Sequence, residues 1–212
     1  MTPEWQIISP EIAILATAIL ILIADLFVGK HRSIAVTGLS FAGVIIALLL
    51  AFGNSPIVKT GFNNSVASDP FGFYFKIIFC LGTLLTIFIS STYVKREVKG
   101  LGEYYFLVFI ATFGMMVMAT SLDLITLFLG LEVMSIPLYV LAGIHRDRPR
   151  SREAAMKYFL LGAFASGFLL YGITLIFGAY GTTNLITLSQ RFEFGYAYSE
   201  ILSLAGLVLV LI

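Results

Sequence analysis

Six long apolar runs, separated by short polar linkers, constrain this chain more than any motif in it. They cover 12–28, 34–52, 71–94, 104–120, 122–144 and 154–180. Each approaches or exceeds the ~20 residues of helix needed to cross ~30 Å of hydrocarbon. The stretch from Tyr104 to Ile144 is nearly continuous, and about 40 residues is too long for one crossing. It divides at "TSLD" (120–123), because Ser121 and Asp123 are good helix-start residues. A seventh run, 201–212, gives only about 18 Å of helix and reads as an incomplete span cut off inside a helix. The expected fold is therefore an all-α integral membrane bundle. It has six full spans and a truncated seventh, in a single membrane domain over 1–212.

Composition agrees. The chain is 59% hydrophobic and 12% charged, against roughly 25% charged residues in soluble domains. The one cysteine, Cys80, lies in an apolar run and supplies neither a disulfide partner nor a metal-site spacing. Glu4 and Glu11 precede the first apolar core, and Lys30, His31 and Arg32 follow it. That is the reverse of a signal peptide, so the first segment is expected to remain as a span. The basic linkers alternate: Lys30 and Arg32; Lys95, Arg96 and Lys99; Arg146, Arg148, Arg150 and Arg152. The opposite side carries only Lys59 and Arg191. The positive-inside bias puts the basic linkers on the cytoplasmic side and the N-terminus outside. "HRDRPRSRE" (145–153) lacks interleaved aromatics; it reads as an anchor near anionic headgroups rather than a nucleic-acid patch. His31 and His145 read as solvated linker residues, and "NNS" (63–65) fits a glycosylation pattern of little weight here.

Four ionisable residues remain at membrane depth: Asp25, Lys76, Glu132 and Lys157. Inserting Lys or Asp at a helix centre costs on the order of 2.5–3.5 kcal/mol, so each needs a reason. Asp25 lies close to the basic end of its run and reads as an interfacial partner for Lys30. Lys76 lies near the outer end of its run, where its stem can snorkel to the headgroups. Glu132 is different, at about 15 Å from either end of its run. Ser135 and Tyr139 share its helical face, and Pro137 deprives the Val133 carbonyl of its helical donor. The stripe reads as a proton-exchanging carboxylate at mid-membrane; the plain alternative is a protonated, hydrogen-bonded core glutamate or a simple kink. Lys157 follows Glu153 by four residues, the favourable order for a surface pair. Its forward neighbours Leu160, Leu161 and Phe164 are apolar, which also suits a desolvated, proton-exchanging lysine. In "GAFASG" (162–167), Gly162 and Ser166, and Ala163 and Gly167, are small residues four apart, a generic signal of close helix approach.

The segments "LEVMSIPLYVLAG" and "EAAMKYFLLGAFASGFLLYG", supported by "ADLF" (24–27) and "SDPFGFYFK" (68–76), closely resemble membrane subunit N of bacterial NADH-quinone oxidoreductase, respiratory complex I. The resemblance covers essentially the whole chain. It implies an antiporter-like fold with about fourteen spans in two inverted repeats, of which this sequence resembles the N-terminal half. It implies proton transfer through Glu132 in the fifth span and Lys157 in the sixth, with Ser135, Pro137 and Tyr139 in support. A further lysine in a broken seventh span would fall beyond Ile212. The resemblance also implies no cofactor in this chain: NADH, FMN, iron–sulfur clusters and quinone belong to partner subunits. The expected function is proton translocation coupled to quinone reduction, with other complex I membrane subunits and the lipid bilayer of the cell inner membrane as partners, and no nucleic acid. Two rivals remain at this point: a subunit of a multi-subunit cation/proton antiporter, and an inactive, truncated structural piece.

Overall fold

The computed structural model describes residues 4–27, 32–54, 59–97, 100–195 and 197–211, leaving aside the side chains of 32–33 and 92–97. Lys30, His31 and Lys99, and the side chains of Arg32, Lys95 and Arg96, therefore lie outside the described residues. A short 3-10 turn, Glu4–Gln6, precedes α1 (Ser9–Phe27) and α2 (Arg32–Gly53). A two-stranded hairpin, β1 (Lys59–Gly61) and β2 (Val66–Ser68), leads into α3 (Pro70–Glu97). Then follow α4 (Leu101–Thr120), α5 (Leu124–Ala142), α6 (Pro149–Tyr180), α7 (Leu185–Glu193) and α8 (Glu200–Leu211).

The first six helices are long and apolar enough to cross a membrane, and they coincide with the six expected spans. Their ends moved for local reasons. α1 starts three residues before the apolar run, because Pro10 is tolerated in a first turn, where its missing N–H would be unpaired anyway. α6 starts with Pro149 in its first turn and ends at Gly181, whose φ of +65° is the left-handed conformation glycine adopts without strain. Its 32 residues reach about 48 Å, longer than the hydrocarbon layer. The division at "TSLD" holds. Thr120 ends α4, and the Asp123 side chain caps α5 by accepting from the amides of Ile125 and Thr126.

The helix α4 is central, packing against α1, α3 and α5, while α6 joins α5 on one side and α8 on the other. Two glycine crossings bring helix backbones close together. A Cβ on Gly114 of α4 would come within 2.7 Å of the Gly130 carbonyl of α5, and a Cβ on Gly172 of α6 within 2.9 Å of the Gly206 carbonyl of α8. The "GAFASG" signal is met only in part: Gly162 faces the Tyr139 ring of α5, but a Cβ on Gly167 would meet nothing within 4 Å. The main buried cluster joins α1 to α4 through residues such as Ile14, Val44, Cys80, Tyr105 and Phe109. Apolar side chains such as Leu26, Phe88, Ile89 and Leu161 remain exposed on the outside of the bundle, as a lipid-facing surface requires.

The hairpin and α7 were not expected from the apolar pattern. β1 and β2 pair antiparallel, with Thr60 opposite Ala67. Phe62, Asn63 and Asn64 turn the loop with φ values of 54°, 54° and 61°. The hairpin joins the α4–α5 and α6–α7 connections into one layer: Leu122 N–H donates to Ser65 O, Leu185 N–H to Leu122 O and Leu124 N–H to Thr183 O. Asp123 ties that layer to α5, because its second carboxylate oxygen accepts from the Thr183 hydroxyl at 2.7 Å.

Candidate proton-transfer site on α5 and α6

Glu132 lies eight residues after the start of α5 and ten before its end, about 12 and 15 Å along the axis. It is half-buried. Its Oε1 is sealed from solvent and has no hydrogen-bond partner. Ser135 does not supply one, since its hydroxyl donates to the Leu131 carbonyl at 2.7 Å. Pro137 is buried within the helix.

Tyr139, about one turn beyond Ser135 on α5, carries the contact with α6. Its ring meets Tyr158 edge-on, with centroids 4.8 Å apart, and Phe159 at 5.9 Å. It lies over Gly162, where any side chain would collide with the phenol. Below it an open cleft of about 390 Å³ runs to the basic-linker end, lined by Tyr139, Gly143, Arg152, Met156 and Phe159 among others.

The structure does not bring Glu132 and Lys157 into direct contact. Lys157 Nζ lies 2.5 Å from Glu153 Oε1 on its own helix, with side chains 69% and 63% exposed. This is the i,i+4 surface pair that the spacing allowed. The register makes the separation plain. Tyr139 aligns with Tyr158 and Phe159, and Glu132 lies seven residues, roughly 10 Å, further along α5. Lys157 lies on the other side of the Tyr139 level. Any proton passing between the two residues needs at least one carrier in between.

One other depth assignment changes, that of Lys76, and Asp25 gains a contact. Asp25 accepts a hydrogen bond from the Gly102 amide at 3.2 Å, so it joins α1 to the start of α4; its expected partner Lys30 lies outside the described residues. Lys76 does not snorkel to the headgroups. It is 6% exposed, and its Nζ lies 2.7 Å from Glu11 Oε1 and donates to Ile7 O at 3.1 Å. The residue missed was Glu11, placed outside the first apolar run but 2% exposed within α1. A usable signal existed: opposite charges at similar depth from the same end of two spans.

Comparison with known proteins agrees with this architecture. Residues 121–212 match the family model for the transmembrane region of NADH:quinone oxidoreductase and Mrp antiporter proteins. NADH-quinone oxidoreductase subunit N of Trichlorobacter lovleyi is 42% identical over 210 residues, covering 99% of this chain and 43% of that protein. Subunit N 1 of Chloroherpeton thalassium is 46% identical over 173 residues, 79% of this chain and 36% of its own length. A chain of respiratory complex I from Thermus thermophilus superposes with a TM-score of 0.74 at 28% identity, over 95% of this chain and 42% of that one. A chain of the archaeal membrane-bound sulfane sulfur reductase shares the fold, with a TM-score of 0.75 at 21% identity. The chain spans less than half the length of these curated relatives. By sequence over nearly its whole length, and by fold, this multi-pass membrane protein belongs to the antiporter-like family of NADH-quinone oxidoreductase subunit N.

Proposed function

We propose that this chain acts in a proton-translocating membrane subunit of NADH-quinone oxidoreductase. Quinone reduction in partner subunits, which carry the NADH, FMN, iron–sulfur and quinone sites, would drive proton transfer through it. Residues 1–212 form one membrane domain, set in the cell inner membrane with the N-terminus and hairpin outside and the basic linkers inside. Glu132 and Lys157 exchange protons, supported by Ser135, Pro137 and Tyr139.

The observation that carries this reading is the sealed, unpartnered Oε1 of Glu132 in the middle of α5. A buried polar atom without a partner costs about 1–3 kcal/mol, and in a lipid-embedded helix an acid kept at that cost is by default functional. The cleft from the Arg152 end to Tyr139 supports the second part. Its lining is mostly apolar, and it reaches the level where Tyr139 stands between Lys157 and Glu132, so the phenol is the group placed to serve as a carrier.

The test is Glu132→Gln in the complex that carries this chain, reconstituted in liposomes with quinone reduction and proton uptake followed together. Fewer protons per electron in a fully assembled complex is the expected result; an unchanged ratio refutes the role. The family match covers cation/proton antiporter proteins as well, and this supports a second reading. Sodium-dependent proton movement without any electron donor would favour it.

A further inference from the structure

The most deeply buried charges among the described residues are not on α5 and α6. They are Glu11 of α1 and Lys76 of α3, 2% and 6% exposed, at the hairpin end of the bundle. We propose that this pair is a second protonatable site, exchanging protons with the aqueous phase at the hairpin end through a small pocket beside Lys76. The role rests on the preceding reading that the chain moves protons; the site itself does not.

The pair does not have the geometry of an ion pair kept for structure. Asp123 shows what this fold does with a structural carboxylate: it accepts from the Ile125 and Thr126 amides and from the Thr183 hydroxyl. Glu11 has none of this. Both its oxygens are sealed from solvent, and neither accepts a well-directed hydrogen bond, although Lys76 Nζ approaches Oε1 to 2.7 Å. A buried ion pair offsets its desolvation only when the remaining lone pairs are satisfied, and an apolar pair of similar volume is often as stable. The unsatisfied lone pairs of the carboxylate are therefore unexplained by packing, and a proton on the group, which removes its charge, is the simplest thing that lowers their cost.

Lys76 also borders a small pocket. Its one directed hydrogen bond goes to Ile7 O, and Glu11 Oε1 lies beside it at 2.7 Å. Lys76 lines a partly open pocket with Asn54, Ser68 and Thr120, with about 10 Å³ of room for a water centre, close to the minimum for one molecule. Asn54 Nδ2 donates to Gln6 O and Ser9 Oγ, and Thr120 Oγ1 to Met116 O, so these two residues have acceptor oxygens left for the two to four polar partners such a water needs.

The exchange balances. A hydronium in the pocket gives its proton to Lys76 as Lys76 passes one of its own to Glu11 Oε1. Water, an ammonium and a neutral carboxyl remain, and the reverse step returns the proton to the pocket. Among the described residues, few other titratable groups surround the pair. Cys80, one turn along α3, is within electrostatic reach of both. Glu4 is engaged by the Phe62 amide and Asp69 by the Gly72 amide. Lys59 opens β1 on the surface side. Towards the pocket, the residue after α2 and the last residue of α4 are the uncharged Asn54 and Thr120.

The test is an infrared pH titration of the full-length protein in lipid. The wild type is expected to show a carboxyl C=O band that changes with pH, and Glu11→Gln is expected to lose it. A single change strands one charge and is liable not to fold. The paired variant Glu11→Gln/Lys76→Met removes both charges at similar volume and keeps the question open to measurement. In the reconstituted complex it is expected to retain quinone reduction but to move fewer protons per electron. No titrating band assignable to Glu11, or a paired variant with the wild-type proton ratio, overturns the proposal. A Glu11 band that titrates while Glu132→Gln leaves proton transfer unchanged supports this site and refutes only the role given to Glu132.

Discussion

The Asp123 side chain holds three connections at the hairpin end, and Asp123→Ala separates them quantitatively. The substitution removes the cap of α5, whose loss typically costs about 1 kcal/mol. It also removes the charge-assisted bond from the Thr183 hydroxyl at 2.7 Å, and bonds to charged groups contribute about 1.5–3 kcal/mol. The total is roughly 2–4 kcal/mol. At roughly 2–4 °C per kcal/mol for a chain of this size, the melting point should fall by on the order of 10 °C. Asp123→Asn separates the two parts. Asparagine caps as well as aspartate, but its neutral carboxamide makes a weaker bond to Thr183, so its drop should be about a third as large. Cys80 supplies the assay, because it is the one cysteine in the sequence and is fully buried. A thiol-reactive fluorophore in detergent reports unfolding as Cys80 becomes accessible. If Asp123→Ala melts with the wild type, or Asp123→Asn melts as early as Asp123→Ala, the reasoning about this carboxylate fails.

The same thiol assay checks the glycine crossing. Gly172→Ala places a Cβ 2.9 Å from the Gly206 carbonyl, so α6 and α8 must separate, at a cost of about 1–3 kcal/mol. Gly167→Ala meets nothing within 4 Å and should stabilise slightly, since alanine is the better helix former by about 1 kcal/mol; a lower melting point for Gly167→Ala than for Gly172→Ala would contradict the packing described here. For Lys157→Met, thermal stability should change by no more than about 0.5 kcal/mol, because its pair with Glu153 is mostly exposed and such i,i+4 pairs contribute little. Its effect on proton transfer in the reconstituted complex should be much larger than its effect on melting, and a variant impaired in both to the same degree would mark Lys157 as structural.

The spans were legible because a lipid-crossing helix leaves its signature in consecutive residues. The apolar runs placed all six helices within a few residues, and "TSLD" divided α4 from α5 through a cap that is itself local, Asp123 reaching amides two and three positions on. The isolated carboxylate of Glu132 was equally visible, since its depth follows from counting residues along one helix. The hairpin was not, because its strands are three residues each, too short to show a period. Nor was α7, a nine-residue helix in a linker.

What only the tertiary structure decided are the partners. Spacing along α3 allowed Lys76 to reach the headgroups; Glu11, 65 positions earlier, draws it inward because α1 and α3 bring the two charges together at the same depth. Spacing along α6 left Lys157 a choice, and it pairs with Glu153. Glu132 is held away from it by the aromatic contact that sets the register of α5 on α6. Periodicity and burial are properties of one segment and can be read from it. Charge pairing and helix register belong to two segments at once, and their energies depend on distances that exist only after the chain has folded.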